Sequence, residues 1–566
     1  MVISHGVFGG GDSPVFSNWG GTVTFQPGKT LVVRSIKGVQ EVVRWAAKEG
    51  KKVRVSGFRH TWSDLYGSKN DIIIMFLPYD TLVDIPYKSP PPSWFQKSEL
   101  SGIKLVDSVA GRTPPEGHMF CNIMAGTTNE QLRAWSFANR TWCIPFNVIM
   151  VEITFGGSNA PICHGSGLST TTLSDLVVEV QYVDAKGDLQ IVNDPAELRA
   201  ASGCFGLLGV VVSLTLQLDT MGVTDMMPVK KHVALAIPPP EGYQIPDEVR
   251  SMMKADGITE KQLAQAKEEF IQRIEKDYYL EWFWFPYQRD CWVNTWSKRS
   301  INSSDVNIQN YPGDGFLQPD GVTAQNIQGT LAQAVVNFPV FKWLSGQDQA
   351  YILGRAAMWS LPHVTNPANA IKTFVSEALH FRRGIQNFRC LDSEWEIPIP
   401  KTTSGGKDYT TIQKAWWDAI TIMYSRKDAP VRVALEMRLT GGSNVILAPQ
   451  KGNEAGTISI EVLTTTTTPK DNWKSCLQEL ADKWTSYTDN DGKLLNARPH
   501  WAKQWSGLTV RKMPIEKYFR EVVYKEAFGE FKEQFGNIIR KRGGTVEETL
   551  KRFGTATMEG LIFAKA

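Results

Sequence analysis

His60 has the setting in this chain that most invites chemistry. It stands in the run Val53-Arg54-Val55-Ser56-Gly57-Phe58-Arg59-His60-Thr61-Trp62-Ser63-Asp64, where a β-like stretch gives way to a small-residue turn. Successive backbone N–H groups in such a turn can converge on an anion, and glycine tolerates the close approach that a pyrophosphate requires. A neutral imidazole just beyond the turn is a competent nucleophile. The same spacing also fits an ordinary β-turn with a histidine cap. A second small-residue stretch runs Phe155-Gly156-Gly157-Ser158-Asn159, then Cys163-His164-Gly165-Ser166-Gly167-Leu168-Ser169. Its hydroxyls and N–H groups suit phosphate and ribose; the plainer reading is a loop joining two strands. Further on, Leu435-Glu436-Met437-Arg438 places an acid and a base two residues apart, hence on one face of a strand. Such a pair can bind hydroxyl groups or balance negative charge, although many surface strands carry one to no purpose. Arg498-Pro499-His500-Trp501-Ala502-Lys503 adds a histidine and a lysine cation.

The elements that must position these groups are legible in part. Residues 30–34 read as a strand, and 36–49 as a helix whose Val39, Val42, Val43 and Ala46 recur at helical spacing. Residues 52–55 and 71–77 read as two more strands, an order that fits an α/β or α+β domain. Residues 176–183 form a strand ending at the turn Lys186-Gly187-Asp188, and 204–218 lead from glycines into a second strand. The character changes near residue 220, and Pro238-Pro239-Pro240 marks a break. Residues 260–276 read as a polar helix, 278–287 as an aromatic strand, 300–330 as a long loop and 515–553 as helical; the five threonines at 464–468 read as a strand end. Between 340 and 510 the pattern alternates without an order that can be assigned. Gly9-Gly10-Gly11 has no strand before it and reads as a flexible end, not a Rossmann motif.

Asn18-Trp19-Gly20-Gly21, the helix around Lys37 and Gly38, and the His60 loop occur in the order seen in FAD-linked oxidases. Together with the second loop, the chain resembles the vanillyl-alcohol-oxidase or PCMH-type superfamily, in its sugar-lactone (gulonolactone, arabinonolactone) and alditol oxidase branch. The resemblance implies an α+β, two-domain fold: a PCMH-type FAD-binding domain over 15–220, and a substrate domain over 221–510 built on an antiparallel sheet flanked by helices. Residues 511–566 are expected to pack back on the FAD domain. It implies FAD bonded through its 8α carbon to His60. Ser56, Gly57, Phe58, Arg59, Thr61, Gly126, Thr127, Gly156, Gly157, Ser158, Cys163, His164, Gly165, Ser169, Gly209, Val210 and Val211 would complete the cofactor site. The chain has Phe58 and Arg59 where the family usually has glycine or serine. The cysteine that forms a second flavin bond in some relatives would fall near Met150, so a single link is expected and Cys163 reads as a packing residue. Trp282-Phe283-Trp284-Phe285-Pro286-Tyr287 resembles the family's aromatic strand. Glu436, Arg438, His500 and Lys503 match its catalytic motifs, with Lys503 expected at the flavin N1/C2 edge. Glu461 falls where alditol oxidases carry a histidine, which leaves the proton acceptor open among Lys503, Glu436 and water.

The implied reaction is hydride transfer from a CH–OH carbon of a small polar substrate (sugar lactone, lactol or polyol) to the flavin, with molecular oxygen as acceptor and hydrogen peroxide as product. A dehydrogenase with another acceptor, a natural-product flavoprotein catalysing oxidative cyclisation, and a flavin-free binding protein are the competing readings. Composition narrows the field. With 61 basic and 58 acidic side chains and a net charge of +3, no nucleic-acid partner is expected. The 19 Trp, 15 Tyr and 26 Phe serve large cores or an aromatic-lined pocket. The 7 cysteines are scattered without metal spacing, so no metal is expected and a reducing compartment fits. No secretory signal is visible, Arg34 is the first arginine, and no apolar run approaches about 20 residues. A cytoplasmic protein without an integral membrane segment is expected.

Overall fold

The computed structural model describes residues 7–8, 13–305, 308, 310–311, 322–381 and 383–564. The first sheet has the strand order Val7–Phe8, Lys29–Val33, Ile72–Met75, Val53–Val55; the last three are parallel. The helix Ile36–Lys48 makes the crossover. Ser35 caps it by accepting from Gly38 N, and Val39, Val42, Val43 and Ala46 are fully buried, as their spacing predicts. A second, antiparallel sheet runs Leu189–Val192, Val177–Val183, Val210–Thr220, His118–Met124, Ile103–Val106, with Trp142–Cys143 beside Val210–Thr220. Between the two sheets lie the turns that carry His60 and the second glycine stretch.

The substrate-side motifs fall on one seven-stranded antiparallel sheet. Its order is Val229–His232, Asp290–Trp296, Tyr279–Trp284, Ala434–Thr440, Thr457–Thr465, Cys390–Pro398, Arg498–Pro499. Alternation gives it two unlike faces. Trp282, Trp284, Leu435, Met437, Ile460, Val462 and Trp395 are sealed on one side, which the helices Tyr409–Ser425 and Lys470–Trp484 cover. The other side carries acids and bases and turns toward the cofactor loops. This connectivity supplies the order that sequence periodicity leaves open between 340 and 510.

The C-terminal helices close on the first sheet. Arg552 donates to the carbonyls of Ala46 and Lys51, and Lys52 pairs with Glu559 at 2.6 Å. Arg54, fully buried, donates to five backbone carbonyls: Leu65, Tyr66, Phe205, Gly206 and Phe553. Two expectations are corrected. The 300–330 stretch is not loop throughout, since a helix begins at Val322 and runs to Asn337; it carries no charged residue, so amphipathic periodicity could not reveal it. The start of the second glycine stretch is a short helix, Phe155–Asn159, in spite of its two glycines, because Thr154 caps it. The Gly9-Gly10-Gly11 reading lies outside the described residues.

Candidate active site

The first loop is built to keep donors free. Ser56 N bonds Ile74 O and ends the strand pairing at 2.9 Å, and Thr61 N bonds the Tyr66 hydroxyl at 2.9 Å. Between them, the amides of Gly57, Phe58, Arg59 and His60 have no acceptor among the described residues. Arg59 takes a left-handed conformation, φ 63°, which costs energy for a branched-out side chain. Its guanidinium offsets that cost by donating to Leu82 O, Val83 O and Ser17 O, pointing away from the loop's inner side. Arg59 therefore serves the turn without needing the small side chain typical of the family. Phe58 is buried against Tyr87 at 5.2 Å. Four free amides in a bent turn form an anion cradle.

The loop opens on a cavity with about 1220 Å³ of non-atom space including its mouth, lined by Ser56 to Thr61, Thr154, Gly156, Gly157 and Gly209 to Val211, among others. His60 sits on that lining, 7% exposed. Its Nε2 lies 3.0 Å from the Glu152 carbonyl, which can only accept, so Nε2 carries the proton. Nδ1 is then an unprotonated lone pair, and it is buried with no partner among the described residues. Burial pushes the imidazole pKa down to about 3, outweighing the Glu152 carbonyl's opposing effect, with Arg59 and Lys503 adding to the depression. Trp19, Phe58 and Tyr87 surround the ring at 5.0, 6.4 and 6.0 Å. An orphaned, neutral nucleophile beside a cradle of free amides fits FAD: the amides at 57–60 would hold its pyrophosphate, and His60 would lie beside the flavin.

The second loop differs. Phe155 N bonds Thr127 O, Gly156 N bonds Ala125 O, and Gly157 N and Ser158 N bond Thr154. The amides at 155–158 are spent within the protein, so these four are not phosphate donors. Gly156 and Gly157 line the cavity by small size. Ser158 is buried and donates its hydroxyl to Phe155 O at 3.3 Å. Gly126 packs its Cα against Leu100 O, Thr127 bonds Gly102, and Ser169 is exposed at a turn; none of the three lines the cavity. Cys163 joins Val148 and Ile153 in an apolar cluster with Met150 against it. Burial raises its thiol to about 12, as suits a packing residue.

His164 turns instead toward the charged face of the large sheet, while Gly165 packs against Asn147 and Phe146. Cross-strand register stacks Glu281, Arg438, Ser459 and Glu396 in one row, and Glu436, Glu461 and Glu394 in the next. Arg438 reaches Glu394 at 3.0 Å, Glu436 at 2.9 Å and Glu461 at 3.1 Å. Lys503 holds Glu461 at 2.6 Å and also pairs Asp392, while its ammonium lies 5.0 Å from the Trp62 ring. His164 Nδ1 donates to Gly165 O, and its Nε2 faces Glu394 and Glu396 at 3.2 and 3.1 Å. Burial alone would lower His164, but Glu396 and Glu394 outweigh it and raise the ring to about 10. Burial pushes Glu436 well up, only partly opposed by Arg438. Glu461 is held down against burial by Lys503 and Arg438, so it is ionised. Burial opposes the Lys503 charge, yet Asp392, Glu461 and Glu394 raise its pKa well above the ordinary lysine range. Lys503 is a fixed cation and no base. Burial takes His500 down to about 3; it accepts from Ala502 N through Nδ1, so its Nε2 bears the proton. His164, Glu394 and His500 present donor atoms within 4.8 Å of one another, a spacing a metal could use. That His500 tautomer and the cations already on Glu394 argue against one.

The structure thus brings Glu436, Arg438, His500 and Lys503 together, and His60 with the Gly57 turn and Gly209 to Val211. Sequence reasoning missed Glu281, Asp392, Glu394 and Glu396. The run Asp392-Ser393-Glu394-Trp395-Glu396 was a signal: three acids at period two on a strand. It also missed Arg54 and Glu152, whose roles rest on backbone geometry that composition does not reveal.

Comparison with known proteins bears on the fold and the family. A solvent-stable cholesterol oxidase has the same fold, with TM-score 0.65 at 14% identity over 97% of each chain. Cholesterol oxidase from B. sterolicum gives TM-score 0.64 at 15% identity, covering 97% of this chain and 96% of its own. L-gulono-1,4-lactone dehydrogenase of Mycobacterium tuberculosis is 21% identical over 495 residues, 87% of this chain and 90% of that protein. D-arabinono-1,4-lactone oxidase of Candida albicans is 24% identical over 206 residues, 36% of this chain and 34% of that protein. Fold and loops define an FAD-linked oxidoreductase of the vanillyl-alcohol-oxidase or PCMH-type superfamily, with mixed helices and antiparallel sheets. Within it, the family model for D-arabinono-1,4-lactone oxidase matches residues 252–535, and the chain belongs to that family. No helix among the described residues is long and apolar enough to cross a membrane.

Proposed function

We propose that the protein oxidises a CH–OH group of a sugar lactone, lactol or polyol, using FAD bonded through its 8α carbon to Nδ1 of His60. The observation that carries this reading is the buried, unprotonated and unpartnered Nδ1 on the lining of the glycine cavity. The 15–220 region would hold the cofactor, 221–510 would hold the substrate, and 511–566 would brace the first. Bound flavin supplies the hydride acceptor. The chain supplies the rest. A carboxylate of this cluster or a water takes the hydroxyl proton; Glu436 and the His500 Nε2–H orient the substrate oxygen; Arg438 and Lys503 balance the negative charge that accumulates. Seven buried free cysteines accord with a reducing, cytoplasmic setting.

Dioxygen is the proposed acceptor, giving hydrogen peroxide. A second reading, a dehydrogenase, is favoured by the Mycobacterium tuberculosis relative, which spans most of the chain. Anaerobic mixing with a panel of sugar lactones, lactols and polyols tests the core of the proposal: at least one should bleach the flavin. A preparation without flavin, or one that no CH–OH donor bleaches, would sink it. Admitting air then separates the readings, since fast return of colour with peroxide marks an oxidase and a lasting bleach marks a dehydrogenase.

A further inference from the structure

Exposed apolar side chains gather in one stretch of this molecule. Of the fourteen large apolar side chains exposed among the described residues, eight lie between 331 and 359, and the other six are scattered over the rest. The same stretch is short of charge. Residues 322–360 hold only Lys342, Asp348 and Arg355, whereas 21% of the whole chain is charged.

Three consecutive helices carry these side chains: Val322–Asn337, Pro339–Trp343 and Gly346–Ser360. The first and third are each fixed to the protein by one side. On the first, Gly329 packs directly on Gly384 O, Gln333 Oε1 accepts from Arg389 N at 2.7 Å, and Val336 is buried. On the third, a Cβ on Gly354 would stand 2.9 Å from the Phe285 Cβ, and Gln288 Nε2 donates to Tyr351 O at 3.0 Å. The outer sides are apolar as well. Leu331, Val335 and Phe338 stand four and three residues apart, hence on one face, and Phe338 is 61% exposed. Trp343, at the end of the second helix, is 81% exposed. Tyr351, Ile352 and Trp359 share the outer face of the third, where Trp359 is 70% exposed. A helix apolar on both sides is normally covered on both. Here the protein covers one.

The charges indicate what fits the other side. Lys342 and Arg355 are exposed, and neither pairs with a carboxylate among the described residues. Arg355 instead donates to the Tyr351 hydroxyl at 3.1 Å and lies 5.8 Å from its ring. Asp348, the single anion, accepts from the Ser345 hydroxyl at 2.6 Å where the third helix begins. The charges left for a partner are therefore cations, and their complement is negative. Tryptophan and tyrosine rings suit the boundary between hydrocarbon and water, and Lys and Arg stems lie along apolar surface while their heads reach phosphate. We propose that this face rests on a lipid bilayer bearing anionic headgroups, with Phe338, Trp343 and Trp359 at the acyl boundary and Lys342 and Arg355 among the phosphates. The seating is peripheral, since no helix among the described residues is long and apolar enough to cross a membrane. It does not depend on the oxidation proposed above.

Sedimentation of the full-length protein with sucrose-loaded vesicles tests this directly. Two kinds are compared, phosphatidylcholine alone and phosphatidylcholine mixed with phosphatidylserine. The protein should sediment with the mixed vesicles, and its partition coefficient should be about fivefold lower on the neutral ones, as suits one net positive charge at the surface. Phe338→Glu and Trp343→Glu should each lower binding to the mixed vesicles about tenfold or more. Both side chains are exposed and lie outside the cofactor and charged-sheet groups, so the variants should keep the parent's fold and flavin content. Three results would each overturn the proposal: no sedimentation with either kind, equal binding to both, or undiminished binding by folded Trp343→Glu. Light scattering reads the rival occupant. A dimer that Trp343→Glu splits, in a protein that leaves vesicles alone, would assign the face to a second copy of the chain.

Discussion

Two loops of nearly the same composition do opposite work in this molecule. The turn at 56–60 leaves four consecutive amides without an acceptor among the described residues, while the turn at 154–158 spends its amides on Thr127, Ala125 and Thr154. The first costs stability unless an acceptor reaches it, since N–H groups without partners are expensive, and a bound phosphate would supply that acceptor. The second contributes stability and leads to His164 at the charged sheet. Small residues near a cofactor therefore signal two things, donors kept for a ligand or backbone packed close to it. The pattern of spent and unspent amides separates them.

The sharpest way to break the comparison is His60→Ala. Covalent flavin should vanish entirely, read as loss of ultraviolet fluorescence from the protein band on a denaturing gel, with FAD recovered in the acid supernatant. Fluorescence retained in the band would move the attachment elsewhere, and Cys163 is a poor candidate with its thiol raised to about 12. Next in size is Arg438→Met. It strips the shared cation from Glu394, Glu436 and Glu461, and flavin reduction should slow roughly 100-fold with the covalent bond intact. A reduction rate within error of the parent would remove Arg438 from the site.

The sequence reading went furthest where local rules suffice. The crossover helix at 36–48 was legible from spacing alone, and Glu436 with Arg438 from strand alternation. It failed where function depends on which backbone groups are already bonded. Nothing in Phe155-Gly156-Gly157-Ser158 announces that Thr154 caps the turn and saturates it. The charged face was half visible: Glu461 was seen from its place in the chain, but Glu281 and Glu396 join only through pairing of distant strands. Phe58 and Arg59 stand where the family usually has glycine or serine. The structure shows Arg59 holding the turn through Leu82 and Val83, a compensation that spans 23 and 24 residues and is invisible to a local pattern.

His164 sharpens the comparison from the second loop's side. Burial disfavours its charge, but Glu396 and Glu394 raise its pKa to about 10, above the ordinary histidine value of 6.5. A group raised on folding contributes stability fully below its unfolded pKa and loses it as pH climbs through the folded one. His164→Gln should therefore cost about 3 kcal/mol at neutral pH. The gap between parent and variant should close as pH rises toward about 10. Chemical denaturation at several pH values measures it, and a gap that widens with pH would refute the ion-pair account.

The smallest expected effect isolates the capped turn itself. Thr154 accepts from Gly157 N at 3.3 Å and its Cβ region abuts Gly57, so it links the two loops. Thr154→Ala leaves Gly157 N without its acceptor at a cost of about 1 kcal/mol. In a chain this long that is a fall in melting temperature of about 2 °C or less. The covalent flavin fraction should match the parent, because the amides at 57–60 do not depend on the Thr154 hydroxyl. If the melting point holds but flavin attachment falls, then the second loop shapes the cradle, and the division of labour between the loops is wrong.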